Sequence, residues 1–576
     1  MKKMIDNCKL PVLIALLCML NFSCEKDLDL EPKSSISSDV FFASQEDFKL
    51  WANQFYFDLP SFTFRRDDWS DITYQPGGNT ISRGQHQVVP TDNFWGDTYW
   101  DIRKYNTLLE EAADAPEDLK SGIAVYEAEA KFFRAFAYFN LLRRYGGVPI
   151  IDKVLDLNSE ELFGTRNTRE EVVDFILRDL DEAAAVLPLQ SDLSGQDLGR
   201  VTSGTAYAFK SRVALFEGTW AKYHGSAGNV NDLLTQAVDA ANQVITMEGS
   251  EYELFDKSDL AEESYFWMFT LDNTQQNPGN YTKADNREVI LESRFDMELR
   301  SHRAFPNPIV SNNPTKAYVD LVLCTDGLPI EKSPLFMGYD MVGDEYLNRD
   351  PRMTTSLMIP FQRYHAANQD LWQIDWSDPD REDRGFLYEI EIGLRTQTGY
   401  NIQKLVPTGR FPAGHNWAVI RYAEVLLNFA EATYELNGSI SDEDLNKSIN
   451  KLRQRVRMPA ITGAFASTNG LDLLQEIRRE RTVELFAEGF RYDDLRRWKT
   501  AEVELPKAIK GIKYTGTQYE TDPRWSGLTP EVDTDGFFIV ESPNVRQFDP
   551  SKHYLFPIPR NEIAQNEALA QNPGWQ

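Results

Sequence analysis

Two kinds of residue cluster in this chain could do chemistry. The first is the charge run IRRERTVELFAEGFRYDDLRRW (477–498). On helical spacing Leu474, Ile477, Arg481 and Leu485 share one face, so Arg481 lies against protein and needs a carboxylate partner. Arg481 and Glu484 therefore read as a structural ion-pair lock, and Arg478 and Arg479 as a solvated face. The second kind interleaves aromatic rings with planar polar groups. The loop RRDDWSDITYQPGGNTISRGQ (65–85) offers Trp69, Tyr74, Asn79 and Arg83 on a backbone loosened by Gly77 and Gly78, and the interval 250–418 offers Tyr281, Arg300, His302, Arg303, Trp372 and Trp376. Rings that stack on C–H faces, beside donors and acceptors for hydroxyl groups, suit a polyhydroxylated ligand.

Catalysis finds less support. With 89 acidic residues, carboxylate pairs suited to glycoside hydrolysis occur throughout, but their separation, which decides the chemistry, is not written in the sequence. No G-x-S-x-G or H-E-x-x-H motif occurs, and the GGVP turn at 146–149 follows a helical pattern, so it is no phosphate loop. The six histidines (86, 224, 302, 365, 415, 553) show no helical or finger spacing, which argues against a structural zinc site, and nothing calls for a cofactor. A net charge of −29 argues against nucleic acid, whose binding rests on Lys and Arg contacts to phosphate.

Residues 1–23 carry a basic start (Lys2, Lys3, Lys9) and an apolar run from Leu10 to Phe22 that is shorter than a membrane span. They read as a signal peptide. Ser23-Cys24 resembles a bacterial lipobox, which makes Cys24 the lipid-bearing residue, although Asn21 stands where a leucine is usual. The following Glu25-Lys26-Asp27-Leu28-Asp29 opens an acidic tether over 24–40 and resembles the tag that sends lipoproteins of Bacteroidetes to the cell surface. Beyond the signal only Cys24 and Cys324 remain, so acylation of Cys24 leaves no internal disulfide.

The elements that must position these residues are mostly helical. Segments 46–58 and 93–112 have helical spacing, separated by an irregular stretch, 59–92. Four helix pairs follow: 124–145 with 168–187, opened by the capping-box pattern Thr168-Arg-Glu-Glu171; 203–222 with 231–247; 419–437 with 442–457; and 471–488, continuing towards Trp498. Their small/large alternation resembles tetratricopeptide repeats, with generic helical hairpins as the alternative. The helix KFFRAFAYFNLLRRY (131–145) is apolar on nearly every side, which means burial among several neighbours. Arg134, Arg143 and Arg144 then need partners, and Gly146 fits a left-handed cap. The interval 250–418, rich in Pro, Gly and aromatics, reads as an inserted lobe with short strands such as Val289–Ser293. Trp95 and Trp100 read as core, Trp267 as a buried strand residue, and Trp220, Trp417 and Trp498 as scaffold.

Four blocks then fall in a familiar order: FFRAFAYFNLLRRYGGVPI (132–150), IRYAEVLLNFAEATYELNG (420–438), ERTVELFAEGFRYDDLRRW (480–498) and YLFPIPRNEIAQNEALAQNPGW (554–575), with NNPTKAYVDL and NRDPRM between them. Together they resemble the SusD/RagB family of surface lipoproteins. The resemblance implies a mainly α fold, with four tetratricopeptide-like units and an irregular lobe, forming one domain over 41–576. That divides into a scaffold over 41–249 and 419–500, the lobe over 250–418 and a C-terminal segment, 501–576. It also implies a non-catalytic role, capturing oligosaccharides for a SusC-like TonB-dependent transporter, with part of the ligand site near the 65–85 loop. Peptide ligands are the alternative within the family, and a surface glycoside hydrolase the alternative outside it.

Overall fold

A computed structural model describes residues 41–226, 228–247, 251–272, 277–302, 312–359, 396–406, 413–523 and 525–575. Cys24, Arg303, Trp372 and Trp376 lie outside them. The helical course begins with α1 (Gln45–Asn53), which tightens into a 3-10 turn over Gln54–Asp58. Helices α2 (Asn93–Asp114), α3 (Glu117–Tyr145), α4 (Arg169–Ala184), α5 (Ser203–His224) and α6 (Val230–Ile245) follow, each packing on the one before it. The course resumes at α9 (Tyr422–Asn437), which packs on α5 and α6, and passes to α12 (Leu473–Glu484).

Helix α3 shows why its sequence lacks a polar face. Phe133 meets Phe55 and Tyr56 on one side, Phe132, Phe136 and Phe139 meet Phe209 of α5 on another, and Tyr138 meets Phe175 of α4. The three arginines find carboxylates: Arg134 with Asp179 at 2.8 Å, Arg143 with Asp493 at 2.6 Å and Arg144 with Asp92 at 2.8 Å. Acidic Glu117 and Asp118 in the first turn, and Arg143 and Arg144 in the last, complement the helix dipole. Gly146 ends the helix at φ 77°, but with ψ at −137° it is extended rather than a left-handed helical cap. In α4 the capping box forms as the sequence implies, with Glu171 N–H donating to the Thr168 hydroxyl (3.2 Å) and Thr168 N–H to the Glu171 carboxylate (2.8 Å).

Between α6 and α9 the described residues are mostly irregular, with short α7 (Lys316–Leu321) and α8 (Pro351–Ser356). Strand β2 (Val289–Ser293) runs antiparallel to β4 (Trp417–Arg421), with Ser293 opposite Trp417, and β4 leads straight into α9. β1 (Thr73–Tyr74) pairs with β3 (Asn313–Pro314), tying the early loop to this region, and β5 (Ile509–Lys513) pairs with β6 (Phe537–Glu541) near the C-terminus. One hydrophobic cluster extends from Phe48 to Ile558.

Several expectations change. The 442–457 helix is broken at Ser448 into α10 (Asp442–Lys447) and α11 (Ile449–Arg455), where the Ser448 hydroxyl donates back to the Asp444 carbonyl. Trp267 is buried, but on a short helix, Ser264–Trp267, not a strand. Trp95 is core at 5% exposure, whereas Trp100 is 66% exposed. Five residues along a helix turn through about 140°, so the two rings leave opposite sides of α2. Arg478, read as solvated, is buried and pairs with Glu435 at 2.9 Å.

Candidate functional site

The site region is set by a turn and an ion network. After α12 the chain reverses through Ala487 (φ 61°) and Gly489 (φ 84°) into α13 (Arg491–Arg497). A Cβ on Gly489 would lie 2.7 Å from the Thr63 carbonyl oxygen, so only glycine lets the 59–71 loop come this close. Thr63 donates to the Glu488 carbonyl (3.0 Å), and Arg491 grips Asp71 with two 2.9 Å bonds. Behind this turn five cations, Arg352, Lys404, Arg421, Arg453 and Arg455, meet five carboxylates, Glu288, Asp350, Glu480, Glu484 and Glu488. Glu484 is the hub, at 2.7 Å from Arg421, 2.6 Å from Arg455 and 3.0 Å from Arg352. Burial alone would raise its carboxyl, yet Arg455, Arg421 and Arg352 hold it well below the usual range. Burial lowers Lys404 to about 8 against the pull of Glu488. Arg481 finds the carboxylate its spacing demands in Asp494, at 2.9 Å. Glu484, named with Arg481 from the charge run, is a buried ion-pair lock as expected, although its partners are Arg352, Arg421 and Arg455 rather than Arg481; the arginine inside the apolar run WAVIRYAEVLL is the sequence signal for Arg421.

The aromatic and polar residues named from sequence form small groups rather than one site, with Tyr74 against Arg83 and with Arg300 and His302 sharing Phe295. Trp69 packs against Tyr492 and Phe556, with the Arg66 guanidinium 5.9 Å from its ring. Tyr74 is buried in β1. Arg83 donates to Glu541 of β6 at 2.7 Å, and Asn79 pins its own loop by accepting from Ile81 N–H (2.8 Å) and donating to Asp68 (3.3 Å). Tyr281 donates to Asp259 at 2.7 Å. Arg300 lies over Phe295 (4.5 Å) and Phe57 (5.7 Å), while His302 sits among Phe62, Phe295 and His415, where burial pushes it down to about 4 and keeps it neutral. The lobe and the early loop thus meet through Phe62, whose φ of 54° is a strained left-handed conformation.

Among the described residues, three of the larger openings lie around this framework. A crevice of about 280 Å³ runs between α2, α3, the 58–66 loop and the 488–490 turn, with Arg66, Asp97, Asn140 and Arg143 on its walls. A polar cleft of about 630 Å³ separates α7 from α12 and α13, lined by guanidinium–carboxylate and ammonium–carboxylate pairs such as Arg491–Asp71 and Lys316–Asp320. A groove of about 890 Å³ lies on the outer side of α2, walled by Trp100, Leu157, Leu162 and Phe163, and here the Phe163 ring is 61% exposed. Among the described residues no three His, Cys, Asp or Glu side chains are grouped to hold a metal ion.

The sequence model of the SusD family matches residues 272–575. The chain belongs to the SusD family. A second model, described as starch-binding and associating with the outer membrane, matches residues 42–215. Among relatives, the SusD-like protein P38 of Formosa agariphila is 25% identical over 544 residues, covering 88% of this chain and 95% of its own. A SusD-like protein of Bacteroides ovatus is 23% identical, covering 83% and 80%. Two solved structures from Bacteroides fragilis share the fold. A SusD-like protein superposes with a TM-score of 0.69 at 24% identity, covering 93% of this chain and 98% of that one. A SusD-like carbohydrate-binding protein gives 0.69 at 21%, covering 92% and 100%. The helical scaffold with an irregular lobe is therefore the architecture of this SusD-family chain.

Proposed function

We propose that this SusD-family chain is a non-catalytic, lipid-anchored cell-surface protein that captures oligosaccharides and delivers them to a SusC-like TonB-dependent transporter. The observation that carries this reading is the pair of family matches, 42–215 and 272–575, the first to a family described as starch-binding and outer-membrane-associated. The chemistry agrees with it. Paired guanidinium and carboxylate groups, as in the 630 Å³ cleft, present adjacent donors and acceptors at spacings suited to vicinal hydroxyls. The apolar groove beside Trp100 supports partnership, since contiguous exposed apolar surface on a folded chain marks docking. In this reading residues 1–23 are removed, Cys24 carries the lipid, 24–40 is the tether and 41–576 works as one domain.

Isothermal titration of the mature protein against a glycan panel and a peptide pool tests it. Saturable heat from at least one glycan is expected. Saturable heat from peptides alone would replace the sugar reading with peptide uptake, and release of reducing ends by purified protein would remove the non-catalytic one.

A further inference from the structure

Arg66 differs from its neighbours. Arg143 and Arg496 share Asp493 (2.6 and 3.1 Å), and Arg144 pairs with Asp92 (2.8 Å). The half-buried Arg66 guanidinium has no carboxylate within ion-pair distance and no hydrogen-bond acceptor among the described residues; its near neighbour is the Trp69 ring. Asp493, on the same crevice wall, is already taken at both oxygens. Burial, and then the charge of Arg143, draw Arg66 down to about 9, with the charge of Asp493 only partly opposing them. Beside it, Asn140 gives its carbonyl oxygen to Arg143 (2.8 Å), which leaves its NH2 for another acceptor, and Phe94 and Phe490 flank the same crevice.

We propose that this crevice takes the acidic group, carboxylate or sulfate, of a charged sugar residue, with Arg66 as its main partner and the Asn140 NH2 as the second. A guanidinium fork matches both anions. The crevice also carries the carboxylates of Asp58, Asp97 and Asp101, of which Asp58 and Asp101 are held by Lys104 (2.7 and 2.9 Å), so selectivity for an acidic group comes from Arg66 at its own end of the crevice rather than from the crevice as a whole. This assignment rests on the glycan-capturing reading above and names the class of glycan.

The test is isothermal titration of the mature protein with a trigalacturonate, a sulfated galactose trisaccharide and a neutral galactose trisaccharide, repeated on Arg66→Gln, Arg66→Lys and Asn140→Ala. Either or both acidic ligands bind more tightly than the neutral one, and the two acidic arms separate carboxylate from sulfate. Arg66→Gln weakens the acidic ligand about tenfold or more, Arg66→Lys less, and the neutral ligand and melting temperature do not move. Asn140→Ala weakens the same ligand from a different element. Neutral sugars binding as tightly as acidic ones, an unaffected Arg66→Gln, or heat from acidic peptides alone overturns the assignment. If neutral glycans bind but acidic ones do not, glycan capture stands and this assignment falls; if no glycan on a broad panel binds, both fall.

Discussion

At the residue scale, Asp67 couples the site region to pH. Burial pushes its carboxyl up to about 7, against the backbone N–H groups of Gly489 and Arg491 that favour the charged form. Between the ordinary aspartate range and about 7 the native state keeps a proton that the unfolded chain has lost, so stability falls as pH rises through that window. Asp67→Asn removes this loss. The variant is expected to be more stable than the parent by up to about 4 kcal/mol at pH 8, with the gain vanishing near pH 4, in urea denaturation at both values. Glu484 behaves oppositely, because its removal leaves Arg352, Arg421 and Arg455 underpaired in the interior. Glu484→Gln is expected to cost about 3–5 kcal/mol, read from the same denaturation curves; a loss below about 1 kcal/mol would show that the network is not what holds the lobe to α12.

At the element scale, the turn after α12 matters more than its length suggests. Gly489→Ala combines a φ of 84° with a Cβ 2.7 Å from a backbone oxygen, whereas Gly77→Ala has a similar φ of 89° but nothing within 4 Å. The first is expected to cost about 2 kcal/mol or more and the second about 1 kcal/mol, measured side by side by thermal melting. Sequence reading reached the long elements because apolar periodicity and capping are local: the α4 capping box, the α3 burial and the Val289–Ser293 strand were all legible. Of the ion network Glu484 was legible but its partners were not, because Glu288, Arg352, Lys404 and Arg421 are far from it in sequence and only the fold makes them neighbours. Trp100 was misread because an aromatic near a helix start says nothing about which face it leaves. Of the candidate site, residue types were readable but grouping was not. Trp69, Arg83 and His302 each satisfy a different local contact, while Arg66, three residues before Trp69, is not legible as a site residue because an unpaired charge is visible only in three dimensions.

At the scale of the whole molecule, anchoring, capture and handover make separate predictions. Cys24→Ala is expected to leave the protein unacylated and shed from the outer membrane, followed by fractionation and fatty-acid labelling. Trp100→Glu places a charge in the apolar groove and is expected to abolish co-purification with a transporter from solubilised membranes while leaving glycan binding unchanged; loss of both would mean that the groove holds the glycan itself. The most direct measurement of the central claim is native mass spectrometry of the mature protein after prolonged incubation with the oligosaccharide that gives the strongest titration signal. A one-to-one complex whose released ligand has its original mass is expected. Shortened ligand, or the absence of any complex across a broad glycan panel, would contradict it.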